Sequence, residues 1–374
     1  MAFKQRVKWS ISALSTAYER RRHPEKFIQV NKTPWQEIYR DGIMSVRHYS
    51  LPEGNTIHIG DKALPVTTQK HRTPLLLVTA LGIHSWTFDI MPSRSMVRYL
   101  MARGFDVFVI DWGSPSQSNR HLSLATYVNQ WMPLAVEAVR RHTDAQQINM
   151  VGYCMGGLLS LMYLGSHPNA PVKAISTIAS PINFHRGGTL GLLASLISKP
   201  ALKINELFRV TLDPFDSRLF HIPGKLVSVG FKLTNPPGVV KSYLDLVRNI
   251  TDREFVIGHM TMGQWFNNMV DYPGNTVREV IAKMIISNNL AKDAIIIGDR
   301  QVEFAKIKQD LLAIAGQTDN ICTLGAARDA LRIVGSKEKR FEVVPGGHAG
   351  VFAGSTAPDT TWRLIADWLE PRSA

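Results

Sequence analysis

The chain is poor in cysteine: among 374 residues only Cys154 and Cys322 occur. That excludes a disulfide framework as the basis of stability, and a single bridge between them would be out of place in a reducing compartment. Long apolar runs are absent as well. None approaches the ~18 residues that a membrane span needs, so no transmembrane segment is expected. The longest, at 75–80 and 107–110, have the length of buried strands. Near the N-terminus Lys4, Arg6, Lys8, Ser10 and Ser12 interrupt the apolar residues. The continuous apolar centre of a secretion signal is therefore missing, and a cytoplasmic location is the expectation. No low-complexity tract or internal repeat occurs, and 45% of residues are apolar, enough for a packed core.

Acidic residues are also in short supply. Asp and Glu number 30 against 43 Lys and Arg, a formal net charge of +13. Such an excess suits an anionic partner, whether coenzyme A, nucleic acid or an anionic surface, and it equally suits simple solubility. No helix-turn-helix, zinc finger or base-stacking motif accompanies the charge, so a nucleic-acid role is not expected. The basic residues gather first at the N-terminus, where residues 1–26 carry seven Lys or Arg and two Glu. There Phe3, Val7, Ile11, Leu14 and Tyr18 recur at helical spacing. The reading is a basic amphipathic extension over 1–34, placed on a membrane-like surface or a partner, or packed on its own core.

From residue 35 the pattern changes. Alternation through 38–58 predicts antiparallel strands. Short apolar runs at 74–78, 105–110 and 148–151 then alternate with helical stretches at 95–103, 124–142 and from 156 onward. Strand–helix alternation predicts an α/β architecture, a mostly parallel sheet with helices on both faces. The alternation stops after residue 180 and resumes at 310–315 and 340–344, before a last helix at 360–369. Between these lies a stretch punctuated by Pro223-Gly224, Pro236-Pro237-Gly238 and Pro273-Gly274. The expected organisation is a core of 35–180 and 291–374 with a lid inserted at 181–290. The lid is expected to cover Cys154 at rest and to move before substrate enters.

The sharpest motif is Gly152, Tyr153, Cys154, Met155, Gly156, Gly157. It has the form G-x-nucleophile-x-G between a predicted strand and a predicted helix, the setting of the nucleophile elbow of the α/β-hydrolase fold. A nucleophile there sits on a strained turn. The glycines allow close packing, the N–H of Met155 points into the site as an oxyanion donor, and the helix N-terminus favours a thiolate. The bland alternative is a buried cysteine among packing glycines. The partners of such a nucleophile follow in the order acid, then base. Asp319 stands directly after the strand ending at 315. His348, flanked by Gly346, Gly347 and Gly350, follows the next strand. These two are the expected acid and base. A turn-forming aspartate and a loop-capping histidine remain the alternatives. Cys322 lacks an elbow and reads as core.

In these residues the sequence resembles the polyhydroxyalkanoate synthases, most closely the short catalytic subunit of the two-component type. The resemblance rests on the Gly152–Gly157 box, on Ile110, Asp111, Trp112, Gly113, Ser114 and Pro115 followed by 122–127, and on Ser180, Pro181, Ile182, Asn183 and Phe184. It continues through Trp265, Pro273-Gly274, Asn288-Asn289-Leu290, Ile297-Gly298-Asp299-Arg300 and Gly347-His348-Ala349-Gly350, and so spans roughly 35–370. Two departures stand out: Asn320 follows Asp319 where the family has histidine, and Ile83 stands at the family's asparagine. The resemblance implies an α/β-hydrolase fold and polymerisation of (R)-3-hydroxyacyl-CoA with release of CoA. Cys154 would carry the chain as a thioester, His348 would deprotonate it, and Asp319 would assist. The loop at Leu81 and Gly82 would supply a second oxyanion N–H. The CoA thioester is then substrate, and neither cofactor nor metal is implied. The partners implied are a second synthase subunit or a homodimer, with a polyester granule surface as a further one. A thioesterase, esterase or depolymerase using the same three residues, and a non-catalytic granule-surface protein, remain alternatives.

Overall fold

The computed structural model describes residues 3–374 except 189, 190, 192–194, 197, 199, 201, 204–211, 213 and 214; of residues 3–11 only the backbone is described. Eight strands form the main sheet: β1 (Trp35–Asp41), β2 (Met44–Tyr49), β3 (Leu75–Val78), β4 (Val107–Asp111), β5 (Ile148–Tyr153), β6 (Val172–Ile178), β7 (Asp310–Gly316) and β8 (Lys339–Val344). Their order is β1-β2-β4-β3-β5-β6-β7-β8. β2 runs antiparallel to both of its neighbours, and every pairing from β4 to β8 is parallel. β3 and β5 are buried at every residue, which explains why they read as unbroken apolar runs: a parallel sheet covered on both faces leaves no polar side.

Helices α1 (Phe3–Arg22), α2 (Met96–Ala102), α3 (Met132–Thr143), α4 (Met155–Ser166), α5 (Gly224–Leu233), α6 (Pro236–Arg248), α7 (Arg253–Asn267), α8 (Gly274–Glu279) and α9 (Arg363–Leu369) are the ones used below. α3 and α4 pack on each other and on the sheet, while α2 packs against the turn Pro358–Trp362 that leads into α9. The helical stretch expected over 124–142 is a π-helical turn, Thr126–Trp131, followed by α3. Its Tyr127 and Trp131 pack edge-to-face at 5.2 Å.

Between β6 and β7 the chain carries α5 to α8. The Pro-Gly pairs, which read as loop punctuation, stand at helix starts. Asn235 caps α6 by accepting from the Gly238 N–H at 3.1 Å, with Pro236 in the first turn, where a missing N–H costs nothing. Pro223 and Pro273 precede α5 and α8 in the same way. The buried faces of α5–α7 are narrow. Leu226, Val229 and Leu233 on α5, and Val240, Tyr243, Leu244 and Val247 on α6, are exposed.

The N-terminal extension reaches this helical segment. Leu14 and Tyr18 of α1 are exposed, so the apolar stripe is not laid on the core at those positions. Beyond them the chain is tied to α6 and α7. Phe27 is wholly buried with Leu246 and Val256. The Arg253 guanidinium lies 4.8 Å above its ring and pairs with Glu19 at 2.9 Å. The Thr261 hydroxyl donates to the Phe27 carbonyl at 3.1 Å.

Candidate active site

Parallel pairing sets the site. Tyr153 ends β5, Gly316 ends β7 and Val344 ends β8, and their registers run together, with Ile178 opposite Tyr153 and Gly316 opposite Val344. The loops that follow these strands therefore emerge on one edge of the sheet, the carboxyl edge where α/β sheets hold ligands. Cys154, Asp319 and His348 come from those loops.

Cys154 connects β5 directly to α4 and has φ +50°, ψ −117°, a region that non-glycine residues enter only when their surroundings hold them. The surroundings do so here. The Cys154 N–H donates to the Ile178 carbonyl at 2.7 Å, and its carbonyl accepts from Gly157 and Leu158 at 3.1 and 3.3 Å. The glycines permit this closeness. A Cβ on Gly156 would stand 2.2 Å from the Val78 carbonyl oxygen, and one on Gly152 would stand 2.4 Å from the Gly157 Cα. Among the described residues nothing accepts the N–H of Met155, the first helical residue of α4, nor those of Leu81 and Gly82 in the loop after β3. The helix end leaves such donors open.

His348 and Asp319 are both buried, with His348 Nδ1 2.8 Å from Asp319 Oδ2. A carboxylate only accepts, so Nδ1 carries the proton and Nε2 is the nitrogen free to face a partner. The other carboxylate oxygen, Oδ1, accepts from the Ile321 and Cys322 N–H groups at 2.8 Å each. Burial on its own would depress the His348 pKa. The charge of the neighbouring Cys154 and the Asp319 hydrogen bond outweigh it and push the imidazole up to about 10.

Several residues to which sequence reasoning gave no role in the site complete the surroundings. Tyr153, the variable residue of the box, donates its hydroxyl to the His348 carbonyl at 3.2 Å and stacks on Phe352 at 4.3 Å. Trp265 is buried beside both. Tyr272 donates to the Leu81 carbonyl at 2.7 Å, and the Val270 N–H donates to the Gly82 carbonyl at 2.9 Å. Gly82 has φ +80°, and a Cβ there would lie 2.2 Å from the Tyr272 ring. Burial, then the nearby Cys154 charge, hold the Tyr272 phenol above its ordinary range. Nothing in the local pattern of 265–274 marks Tyr272, because its partner lies far away in the sequence, and Trp265 is marked only by the family resemblance. Cys322 is buried and free, as is the half-buried Cys154 free. Burial, with the Asp319 charge, pushes the Cys322 thiol up, so it stays protonated, and its contribution to the site is its backbone N–H. Ile83 is half-buried and packs against the core. Asn320 presents its carbonyl to Gly188.

Among the described residues no cluster of His, Cys, Asp and Glu has the arrangement of a metal site, and no helix is long and apolar enough to cross a membrane.

Comparison with known proteins agrees with this fold. A family model described as the alpha/beta hydrolase fold matches residues 73–355. Among curated proteins, the poly(3-hydroxyalkanoate) polymerase subunit PhaC of Haloferax mediterranei is 28% identical over 92% of this chain and 65% of its own length. The subunit of the same name from Allochromatium vinosum is 28% identical over 92% of this chain and 90% of its own. That of Synechocystis is 25% identical over 93% and 87%. The chain thus spans a little under two thirds of the haloarchaeal relative and most of the other two. Among solved structures, a soluble variant of monoglyceride lipase from Saccharomyces cerevisiae superposes with a TM-score of 0.54 at 15% identity, covering 93% of this chain and 98% of that one, a likeness of fold alone. With its cysteine elbow on an eight-stranded sheet of this order, and with poly(3-hydroxyalkanoate) polymerases among its relatives, the chain belongs to the alpha/beta hydrolase fold family.

Proposed function

We propose that the chain polymerises (R)-3-hydroxyacyl-CoA into polyhydroxyalkanoate with release of CoA, through a thioester on Cys154. The observation that carries this reading is the half-buried Cys154 at an elbow with φ +50°, beside a buried His348–Asp319 pair. The naming of relatives as polyhydroxyalkanoate polymerases supports the substrate class.

The Cys154 thiolate attacks the thioester carbonyl, and the N–H groups of Met155 and of Leu81 or Gly82 receive the developing oxyanion. The C–S bond to CoA breaks, and the departing thiolate takes the proton from His348 Nε2. Thiolate replaces thiolate, so the exchange is nearly balanced in energy. His348, neutral again, removes the proton of an incoming 3-hydroxyl, whose oxygen attacks the acyl-Cys154; an ester forms and the Cys154 thiolate is regenerated. Asp319 holds the Nδ1–H tautomer throughout. No cofactor or metal takes part. A transferase has to keep water from the acyl-cysteine, and the Tyr272 and Val270 contacts that bring the inserted segment onto the Leu81–Gly82 loop support such exclusion. The exposed apolar residues of α5 and α6 support a protein partner there, a second synthase subunit or another copy of the chain. Location in the cytoplasm, with attachment to the polyester granule, belongs to the same proposal.

The test is CoA release from 3-hydroxybutyryl-CoA and 3-hydroxydecanoyl-CoA with analysis of the acyl product, using Cys154→Ser as control. CoA release with insoluble polyester, lost in the variant, is the expected result. CoA release with free hydroxy acid would make the chain a thioesterase. No release, alone or with a two-component synthase's second subunit added, would reject the proposal in favour of a binding role.

A further inference from the structure

Beyond the loops of the site, a cavity of about 650 Å³ lies between α5, α6, α7 and the His348 loop, within the range of small-molecule sites. Phe231, Tyr243, Phe255, Met262 and Phe266 make its apolar walls, and His348 lines it at the sheet edge. On α7 it meets Gly258, around whose Cβ position no atom lies within 4 Å, so this wall leaves room. The cavity is thus continuous with the base of the proposed chemistry while extending well away from it.

Two polar side chains of this lining lack hydrogen-bond partners among the described residues: His259, whose buried Nδ1 has none, and the cation Arg94. Arg94 follows the short strand Asp89–Met91 and is half-buried at the cavity. Its guanidinium makes no hydrogen bond or ion pair among the described residues. The second cation of the lining, Lys232, is different, since its ammonium is held by the Asn267 side-chain carbonyl. The carboxylate of the lining, Glu254, is exposed and does not pair with Arg94. Burial holds Arg94 below the ordinary arginine range. A partly buried cation that lines a cavity with no protein anion beside it is left for an anionic ligand to pair. The planar fork of an arginine matches phosphate oxygens two at a time.

We infer that Arg94 is the phosphate-recognition residue of this cavity and binds a phosphate group of the CoA thioester while the acyl carbonyl lies at Cys154. The assignment rests on the CoA-thioester reading above. It makes the cavity the seat of the carrier rather than of the acyl tail, and it gives the excess positive charge of the chain one specific use.

The experiment compares 3-hydroxybutyryl-CoA with 3-hydroxybutyryl-N-acetylcysteamine, which has the same reacting end and no phosphate. In Arg94→Gln the preference in kcat/KM for the CoA thioester over the phosphate-free one falls by about 10- to 100-fold, the size of a lost charge-assisted contact. Arg94→Lys, which keeps the charge and loses the fork, recovers part of that preference. An unchanged preference, or an equal fall for both substrates, overturns the assignment. Should the wild-type protein turn over neither thioester, calorimetry with CoA itself decides. Binding weakened about tenfold or more by Arg94→Gln upholds the phosphate site even though the polymerase reading has failed. Equal binding by both proteins, or none by the wild type, overturns it.

Discussion

Replacing Asp319 with asparagine tests the logic of the site more sharply than removing any side chain. The two residues have the same shape, and the structure dictates how the asparagine would sit. Oδ1 of Asp319 accepts from two backbone donors, Ile321 N–H and Cys322 N–H, each at 2.8 Å. An asparagine must keep its carbonyl oxygen there, because its NH2 group would face two donors. The NH2 is thereby turned toward His348 Nδ1, where the aspartate offers Oδ2 at 2.8 Å. An NH2 group donates, so Nδ1 becomes the acceptor and the ring proton moves to Nε2. The imidazole then presents an N–H to Cys154 and cannot take a proton from it. The charge that helped raise the His348 pKa is lost as well. A wrong tautomer in an otherwise intact triad costs roughly 10³–10⁴-fold in rate, or about 4–5 kcal/mol.

Two assays read this prediction. Alkylation of Cys154 by iodoacetamide follows the thiolate directly and does not depend on knowing the substrate. CoA release from 3-hydroxybutyryl-CoA follows turnover. In Asp319→Asn the alkylation rate at neutral pH falls, because the imidazole no longer takes the thiol proton. CoA release falls by about three orders of magnitude or more. The melting temperature should change little, since the fold keeps both backbone hydrogen bonds. A variant that alkylates with the wild-type pH profile and keeps its turnover to within about tenfold would refute the tautomer argument and with it the assignment of Asp319.

Three further outcomes follow from other contacts. The His348 pKa is raised from an unfolded value of 6.5 to about 10, so its contribution to stability is complete below pH 6.5 and is lost as the pH rises through about 10; in denaturant titrations across that window Cys154→Ala should flatten the decline, and an identical slope in both proteins would contradict the coupling. Gly82→Ala meets both a positive φ, costing roughly 1–2 kcal/mol, and the Tyr272 ring, so it should abolish turnover, while Tyr272→Phe should lose about 1 kcal/mol by leaving the Leu81 carbonyl without its donor; thermal melts alongside CoA release check both, and a fully active Gly82→Ala would sink the account of that loop. Phe27→Ala empties a site that is wholly buried between the extension and α6–α7 and should cost about 3–5 kcal/mol of local stability, seen as faster proteolysis within 236–267 while the sheet stays protected; uniform protection would mean that the extension does not brace those helices.

How much of this was legible in the sequence depended on how local its cause is. The central strands of the main sheet are short, buried and apolar, and the runs at 75–78, 107–110 and 148–151 announce them. The elbow was legible because a strained turn demands glycines at fixed spacing. Asp319 and His348 were legible because chain order and post-strand position are one-dimensional facts. What was not legible comes from contacts between distant segments. Tyr272 matters because it meets Leu81, 191 residues away, and the proline pairs of 223–274 read as breaks although they start helices. The N-terminal extension has a helical stripe that suggests a surface role, yet its anchoring residue is Phe27, which lies outside that stripe and gains meaning only beside Leu246 and Val256. Arg94 was invisible for another reason: a missing partner cannot be seen until all the neighbours are in place.

The contacts at Leu81 and Gly82 bear on how access and chemistry are linked. Both residues offer their carbonyls to the inserted segment, Leu81 to the Tyr272 hydroxyl and Gly82 to the Val270 N–H, while among the described residues nothing accepts their N–H groups. A peptide unit is planar, so fixing a carbonyl fixes the direction of the N–H bonded to the same carbon: the Leu81 carbonyl sets the Gly82 N–H, and the Gly82 carbonyl sets that of Ile83. The Gly82 and Ile83 N–H groups are therefore aimed by the segment that carries Val270 and Tyr272. Any displacement of that segment from the loop would break both hydrogen bonds and free the peptides to turn. On the proposed mechanism, an open site is then a poor catalyst and a closed one a good catalyst. That arrangement suits a transferase, because the acyl-cysteine is most reactive when water has least access to it.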